Sequence, residues 1–212
     1  MEVSVIIPVY NREKYIARAI RSLVQQTLSK TMYEIIVIDD GSTDHTLQAI
    51  EPFRCDIRLV KGDHEGVSAA SNAGMKLARG QYIIRVDSDD YVNANLLEIE
   101  RLYLTHNKEF GAVACDYTVV TSNEEVIERR NCETDPIGCG VMFRKENLTQ
   151  IGLYDTRMPA REDEDLRSRY LAQFSIYRIP LPLYRYRMHS DNLTSNEEAM
   201  RIGREMMETK KC

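Results

Sequence analysis

Three aspartates near the middle of the chain have the residue type and the spacing to hold a divalent cation. They lie in Asp87-Ser88-Asp89-Asp90, directly after an apolar run from Tyr82 to Val86 that predicts a buried strand. In an extended chain Asp87 and Asp89 point to the same side, so both can face one ion that also binds a diphosphate. Oxygen ligands favour Mg²⁺ or Mn²⁺ over Zn²⁺. Taken alone, however, the stretch is more typical of an Asx turn with a helix cap.

A second acidic cluster, Arg161-Glu162-Asp163-Glu164-Asp165, opens a predicted helix. Acids at a helix start are expected from the helix dipole, which is worth roughly 0.3–1 kcal/mol for each. Four consecutive acids nevertheless exceed what capping needs. A metal ion can neutralise a phosphate leaving group while a carboxylate across the cleft takes a proton from a hydroxyl, and Asp163 or Glu162 could be that base.

Further polar residues follow other predicted strands. The turn Asp39-Asp40-Gly41-Ser42 could accept hydrogen bonds from a base or ribose, and Tyr10 could lie against a base. His189 could add an imidazole to the metal site or hold a phosphate together with Arg185 or Arg187. Each also has an ordinary explanation, as a turn, a packed tyrosine or a solvated basic strand. The other histidines, including His64, are predicted to be surface residues.

The first half of the chain alternates strands with helices. Strands are predicted at Val3 to Val9, Glu34 to Asp39, Ile57 to Val60 and Tyr82 to Val86, with helices after Asn11, Ser42 and Val67. This order predicts a parallel sheet with right-handed crossovers, whose functional loops lie at the carboxyl ends of the strands. Asp39, Asp40, Asp87 and Asp89 should therefore share one edge.

The second half is predicted to extend this sheet. Val113 to Val120 alternates like a strand, and the polar segment from Thr121 to Pro136 is interpreted as a hairpin or mobile loop. The other predicted elements are a helix at Ala94 to Thr105, a short strand near Gly138 to Phe143, helices at Lys145 to Gln150 and Arg161 to Ala172, strands at Ser175 to Ile179 and Leu183 to Arg187, and a tail helix at Ser195 to Lys211.

Composition limits the class of protein. The 212 residues are 43% hydrophobic with a net charge of -5, which suits one globular domain and gives no sign of nucleic-acid binding. Neither a run of about 20 apolar residues nor a signal peptide is found, so a cytoplasmic location is expected. The five cysteines lack C-x-x-C spacing, which favours reduced thiols.

Six motifs together resemble the family-2 glycosyltransferases of GT-A fold, in the order seen in that family. The resemblance covers Val3 to about Leu193, and His189 falls where many relatives carry a histidine. The motifs are Val5-Ile6-Ile7-Pro8-Val9-Tyr10-Asn11, Ile38-Asp39-Asp40-Gly41-Ser42-Thr43-Asp44, Ser71-Asn72-Ala73-Gly74, Gly80-Gln81-Tyr82-Ile83, Asp87-Ser88-Asp89-Asp90 and Glu162-Asp163-Glu164-Asp165-Leu166.

The resemblance implies an α/β GT-A fold with a mostly parallel central sheet flanked by helices. It divides a single domain, 1–212, into a nucleotide-sugar-binding half (1–92), an acceptor-binding half (93–194) and a C-terminal helix (195–212). It also implies sugar transfer with inversion, from a nucleotide-sugar donor, presumed to be UDP-linked, to a polysaccharide, lipid-linked or other glycan acceptor.

The resemblance also assigns roles to residues. Asp87, Asp89 and His189 would contact Mn²⁺ or Mg²⁺, and Asp163, with Glu162 as the alternative, would be the catalytic base. The residues implied at the nucleotide are Pro8, Tyr10, Asn11, Asp39, Asp40, Asn72, Asp87 and Ser88. Those implied at the acceptor are Gly138, Cys139, Gly140 and Asp165.

One departure and two rival functions accompany this assignment. Ser71 stands where many relatives have an arginine, so one positive charge near the donor is missing. A nucleotidyltransferase would need a Gly-rich phosphate loop after the first strand, where this chain has Pro8-Val9-Tyr10-Asn11-Arg12. A non-catalytic nucleotide-sugar-binding module is the other alternative.

The tail helix could dock on a membrane surface or a second subunit, although covering its own domain is the simpler interpretation.

Overall fold

The computed structural model describes residues 1–189 and 197–210. Its first half contains four parallel strands, as the sequence predicts, and their order in the sheet is β3-β2-β1-β4. Every residue of β1 and β2 is buried, which explains their continuous apolar runs. The strands are β1 (Val3–Val9), β2 (Tyr33–Asp39), β3 (Arg58–Lys61) and β4 (Tyr82–Arg85), and the helices are α1 (Ile16–Val24), α2 (Thr46–Ile50), followed by the short 3₁₀ turn Glu51–Phe53, and α3 (Val67–Leu77).

The parallel register brings the carboxyl ends of the first strands together. Val9 pairs with Asp39 across β1 and β2, and Ile6 pairs with Arg85 across β1 and β4. Helix α3 packs closely on these strands because Gly74 has no side chain; a Cβ there would overlap the side chain of Ile6 and come within 3.3 Å of Ile38. The loops after β1, β2 and β4 therefore lie at one edge.

The second half continues the same sheet, but with mixed directions. Beyond β4 the order is β8-β6-β9-β5, with β8 antiparallel to both neighbours, β9 parallel to β6, and β7 paired to β6 as a hairpin. The elements are β5 (Tyr91–Val92), α4 (Leu96–His106), β6 (Ala112–Val120), β7 (Val126–Arg130), β8 (Val141–Arg144), α5 (Lys145–Ile151), α6 (Glu162–Leu171), β9 (Ile176–Arg187) and α7 (Glu197–Thr209).

Two predicted boundaries are wrong. The strands expected at Ser175 to Ile179 and Leu183 to Arg187 form one strand, β9, whose register against β6 shifts on either side of Asp116. Pro180 and Pro182 suggested a break because neither can donate a ladder hydrogen bond, yet the register shift accommodates them. Helix α1 begins at Ile16 rather than near Asn11, which has a φ of 49°.

Helix α7 packs on its own domain. Gly203 lies against the backbone of Ala160, where a Cβ would overlap the carbonyl oxygen, and Lys210 Nζ contacts Asp155 Oδ2 at 2.8 Å and Asp165 Oδ1 at 2.7 Å. Residues 195, 196, 211 and 212 of the predicted tail lie outside the described residues. These contacts join α7 to the segment that precedes and begins α6.

Within residues 1–189 and 197–210, no helix combines the length and the apolarity needed to cross a bilayer. The four cysteines in these ranges are unpaired thiols, three of them buried, as the sequence predicts.

Candidate functional site

A cleft with a volume of about 1080 Å³ runs along the carboxyl edge of the sheet and reaches α6 and α7. Eleven of the predicted site residues lie on its wall, from both halves of the chain. They are Pro8, Tyr10, Asp40, Asp87, Ser88, Asp89, Gly138, Cys139, Glu162, Asp163 and His189. The fold therefore brings the two acidic clusters to one cavity.

Five predicted site residues do not line the cleft, and each holds chain segments together instead. Asn11 Oδ1 accepts hydrogen bonds from the N–H groups of Thr43 and Asp44, and Asp39 Oδ1 accepts one from Ser42 N–H. The contacts of Asn11 fasten the loop after β1 to the loop after β2, and that of Asp39 closes the turn within the second loop. The nucleotide contacts predicted for Asn11 and Asp39 stay predictions.

Asn72, Gly140 and Asp165 are the other three. The amide of Asn72 exchanges two hydrogen bonds with the backbone of Tyr154. Gly140 has a φ of 68°, and a Cβ there would overlap the ring of Tyr184. Asp165 is buried and pairs with Arg169 and Lys210, so it faces away from the cleft. Motif membership alone did not reveal which way these residues point.

Arg85, at the end of β4, joins the two acidic clusters. Its guanidinium donates to Asp87 Oδ1 at 2.8 Å and Oδ2 at 3.2 Å, and to Glu162 Oε1 at 3.2 Å. The side chains of Arg85 and Glu162 are only 8% and 4% exposed. Burial lowers the pKa of Arg85, but the charges of Asp87, Tyr154 and Glu162 raise it more, so the arginine stays charged. Sequence reasoning missed Arg85, although a charged residue inside an apolar strand signals a buried partner.

Asp89 is held by an imidazole and a guanidinium on the cleft wall. Its Oδ2 lies 3.0 Å from His189 Nε2 and 3.2 Å from Arg12 Nε. The His189 ring stacks on Tyr15, with centroids 5.0 Å apart. Burial raises the pKa of Asp89, but the hydrogen bond to His189 and the charge of Arg12 outweigh it and lower the pKa. The carboxylate is therefore kept ionised.

Asp90, in contrast, is part of the framework. It is fully buried, and its oxygens accept hydrogen bonds from Tyr184 Oη at 2.8 Å and Arg187 N–H at 2.7 Å. Burial, with the charges of Asp89 and Asp87, raises its pKa well above the ordinary value. Asp90 thereby anchors β9 beneath the loop that presents Asp87 and Asp89.

The fit of this loop to a hard cation depends on which oxygens remain available. Ligand atoms of Asp87, Asp90 and Cys139 lie within 4.8 Å of one another, the one such group of three in the described ranges. Asp90 is committed to its own hydrogen bonds, and a thiol does not suit Mg²⁺ or Mn²⁺. His189 contacts Asp89 directly. Asp87 and Asp89 place carboxylates on the cleft wall, which is the ligand type that such an ion prefers.

In the second cluster the four acids point in different directions. Arg161, with a φ of 62°, turns the chain into α6, so that Glu162 and Asp165 are buried while Glu164 pairs with Arg161. Burial raises the pKa of Glu162 even though Arg85 lies beside it. Asp163 faces the cleft, and within the described residues its carboxylate makes neither an ion pair nor a hydrogen bond.

Gly138 makes room for this carboxylate. A Cβ at Gly138 would come within 2.7 Å of Asp163 Oδ2. The predicted acceptor stretch therefore touches the predicted base directly. Asp163 can accept a proton from a hydroxyl in the cleft, whereas Glu162 is occupied by Arg85.

The opposite end of the cleft presents an aromatic surface and an acid. Tyr10 and His64 stack with centroids 4.0 Å apart, and both line the cleft. Asp40 accepts hydrogen bonds from the N–H groups of Glu65 and Gly66 at 2.9 and 2.8 Å. His64 is exposed, as the sequence predicts, and it also forms part of the cleft wall, which the sequence did not indicate.

Known proteins share this architecture. The poly(ribitol-phosphate) beta-N-acetylglucosaminyltransferase TarS of Staphylococcus aureus is 42% identical over 102 residues, which are 46% of this chain and 18% of that protein. The chondroitin synthase of Escherichia coli is 37% identical over 119 residues, 55% of this chain and 17% of that protein. The matched region is thus about a fifth of the length of these relatives.

Solved structures extend the similarity to nearly the whole chain. The structure of TarS residues 1–349 in complex with UDP-GlcNAc superposes with a TM-score of 0.78 at 25% identity, covering 95% of this chain and 65% of that one. The mannosyltransferase PcManGT of Pyrobaculum calidifontis, in complex with GDP-Man and Mn²⁺, shares the fold at a TM-score of 0.72 and 19% identity, covering 96% and 60%. The Glycosyl transferase family 2 model matches residues 4–190. The chain belongs to glycosyl transferase family 2.

Proposed function

We propose that this chain is a metal-dependent, inverting glycosyltransferase that moves a sugar from a UDP-sugar to a hydroxyl of a glycan or lipid-linked acceptor. The observation that carries the proposal is the placement of two acidic groups in one cleft, Asp87 and Asp89 at the edge of the sheet and Asp163 at the start of α6. Single displacement needs a leaving diphosphate on one side of the sugar and a base on the other. Asp87 and Asp89 can serve the side of the diphosphate and Asp163 the side of the base. Such a reaction needs no enzyme nucleophile.

Asp163 is the proposed base. It is the cleft-facing acid of its cluster that makes no ion pair within the described ranges, and it lies against Gly138 of the proposed acceptor stretch. Glu162 is unsuited because its carboxylate is buried against Arg85. Its role is to hold Arg85, and through it Asp87, in place.

Asp87 and Asp89 are the proposed contacts of a Mn²⁺ or Mg²⁺ ion bound together with the diphosphate, with His189 beside Asp89. Such an ion, when bound, neutralises charge on the departing phosphate oxygens. Ser88 and Pro8 line the same part of the cleft. Arg12 and Arg85 supply positive charge there, which offsets the absence of an arginine at Ser71.

The uridine is proposed to lie between Tyr10 and Asp40. Tyr10 and His64 offer stacked rings of the kind that bind a base face, and Asp40 lies next to them. The UDP-GlcNAc complex of the TarS fragment supports a UDP-linked donor. The names of the relatives, a poly(ribitol-phosphate) transferase and a chondroitin synthase, support a polymeric glycan acceptor. A cytoplasmic location and docking on a membrane or second subunit stay predictions.

The decisive experiment supplies the purified chain with a panel of UDP- and GDP-sugars and Mn²⁺ and measures release of nucleoside diphosphate. We expect slow hydrolysis of one UDP-sugar, abolished by chelation. A parallel incubation with a nucleoside triphosphate and a sugar phosphate tests for pyrophosphate, the product of the rival nucleotidyltransferase. Pyrophosphate without donor hydrolysis would contradict the proposal, and tight UDP binding without turnover would favour the non-catalytic alternative.

A further inference from the structure

Arg167 differs from Arg169, the other arginine of α6, because it has no acidic partner among the described residues. It lies four residues after Asp163, a spacing that places the two side chains on one face of the helix, about 6 Å apart along the axis. Both residues line the main cleft, and both line a small cavity of about 30 Å³ behind Gly138. Arg167 therefore accompanies the proposed base into the acceptor side of the cleft.

The neighbouring pair shows that this arrangement is not imposed by the helix. Asp165 and Arg169 have the same four-residue spacing, and they form an ion pair at 2.8 Å. Asp163 and Arg167 do not pair, and within residues 1–189 and 197–210 the guanidinium of Arg167 makes no hydrogen bond or ion pair. A half-buried guanidinium without such contacts can bind an anion through two parallel hydrogen bonds.

A second arginine strengthens the positive character of this part of the cleft. Arg130, at the end of β7, also lines the cleft and pairs with Glu128, a residue whose side chain is 48% exposed. Such an exposed pair is weak and leaves the guanidinium able to bind an incoming anion. Arg130 and Arg167 both line the cleft, together with Pro136, Ile137 and Gly138.

We propose that Arg167, assisted by Arg130, binds an oxyanion of the acceptor, a phosphodiester or a carboxylate one or two bonds removed from the attacking hydroxyl. This rests on the proposed function, since it takes Asp163 as the base. The acceptor is then an anionic glycan or polyol phosphate rather than a neutral one. Because Arg167 is one helical turn from Asp163, the bound anion places the neighbouring hydroxyl at the carboxylate.

The experiment measures binding of matched probes by calorimetry to the full chain saturated with Mn²⁺ and UDP. Methyl glucuronide is compared with methyl glucoside, and glycerol 3-phosphate with glycerol, so that the two arms separate a carboxylate from a phosphate. The variants are Arg167→Gln, Arg167→Lys, and Arg204→Gln as the matched control. Arg204 is an exposed arginine of α7 that makes no ion pair within the described ranges and does not line the cleft.

We expect at least one charged probe to bind more tightly than its neutral partner, and Arg167→Gln to weaken that probe about 10-fold or more. Arg167→Lys should restore part of the affinity, and Arg204→Gln should change nothing. Equal binding of charged and neutral probes, or a loss in Arg167→Gln that affects both alike, would overturn the inference. UDP affinity is measured in the wild-type chain and in every variant. If the wild-type chain does not bind UDP with Mn²⁺, the proposed function is refuted instead. The comparison of methyl glucuronide with methyl glucoside then decides the role of Arg167.

Discussion

The two acidic clusters of the cleft are built in the same way from different elements. After β4, Asp90 is buried in the framework while Asp87 and Asp89 face the cleft. At the start of α6, Glu162 and Asp165 are buried in ion pairs while Asp163 faces the cleft. In both clusters the buried acids hold the backbone that carries the cleft-facing acids. Each run of acids therefore contains both the candidate functional side chains and the residues that fix their position.

The clusters differ in how their cleft-facing acids are neutralised. Asp87 and Asp89 each contact an arginine, Arg85 for the first and Arg12 for the second, and Asp89 also contacts the imidazole of His189. Asp163 contacts none within the described residues. A site for a cation with its diphosphate benefits from nearby positive charge, whereas a general base must keep its carboxylate available. The difference therefore assigns different chemistry to the two clusters.

The most direct test of this difference between the two clusters is the variant Asp163→Asn. If Asp163 takes the proton from the acceptor, transfer should fall by roughly 10²–10⁴-fold, since that is what general-base catalysis contributes. Binding of UDP with Mn²⁺ should be unchanged, because the first cluster is untouched. Initial rates of transfer and calorimetry of UDP binding measure the two quantities.

Glu164→Gln is the matched control, because Glu164 lies next to Asp163 in the first turn of α6 and also lines the cleft. Its carboxylate pairs with Arg161, so the loss of charge should reduce transfer far less. Equal losses in the two variants would mean that the charge of the helix start matters, rather than a base at position 163.

The link between the clusters is tested by Arg85→Met. Removing one partner of a buried ion pair costs about 3–5 kcal/mol, because the other charge is left without compensation. Here the stranded group is Glu162, whose pKa is already raised from 4.5 by burial. The free energy of unfolding, from urea titration, should fall accordingly. The loss should be smaller below pH 4.5, where Glu162 takes up a proton, and should grow as the pH rises.

The double variant Arg85→Met with Glu162→Gln sharpens this test. If the stranded carboxylate causes most of the loss, the second substitution should recover a large part of it and remove the added pH dependence. Should the double variant be as unstable as the sum of both single ones, Arg85 would act mainly through Asp87 and through its contact with the Tyr154 ring at 5.3 Å.

Asp89→Ala tests the first cluster with a smaller expected effect. Loss of one charged ligand should weaken Mn²⁺-dependent UDP binding by about 10–100-fold. Calorimetry with and without Mn²⁺ separates the metal-dependent part. Asp90→Asn is the informative comparison, because the buried Asp90 should affect the free energy of unfolding more than metal dependence. If Asp89→Ala bound UDP and Mn²⁺ normally, the proposed cation site would be wrong.

The parallel direction of the first four strands and the sharing of one sheet edge were predictable from the sequence, because apolar runs alternating with helices predict right-handed crossovers. The separation of Glu162 from Asp163 was not. Adjacent residues on a helix point about 100° apart, and which of them faces the cleft depends on how Arg161 turns into α6 and on Arg85 in a distant strand.

The same limit applies to the predicted site residues that do not line the cleft. Asn11, Asn72 and Gly140 belong to family motifs, but their side chains or backbone serve contacts with Thr43, Tyr154 and Tyr184 that only the tertiary structure brings together. His64 was missed for the complementary reason. Its loop is polar and unpatterned, and only the approach of Tyr10 from the end of β1 makes it part of the site.

The smallest predicted effect concerns the support of the second cluster by α7. Gly203 lies so close to Ala160 that an added Cβ would overlap its carbonyl oxygen, and Arg161 and Glu162 follow directly. Gly203→Ala should therefore lower the free energy of unfolding by about 1–3 kcal/mol, as overpacking does. Because the displaced backbone leads into Asp163, transfer should fall more than UDP binding. Gly62→Ala is the control for stability alone, since a Cβ at Gly62 would make an ordinary contact of 3.4 Å with its nearest atom, Asp40 Oδ1. An unchanged transfer rate in Gly203→Ala would show that α7 covers the domain without positioning the base.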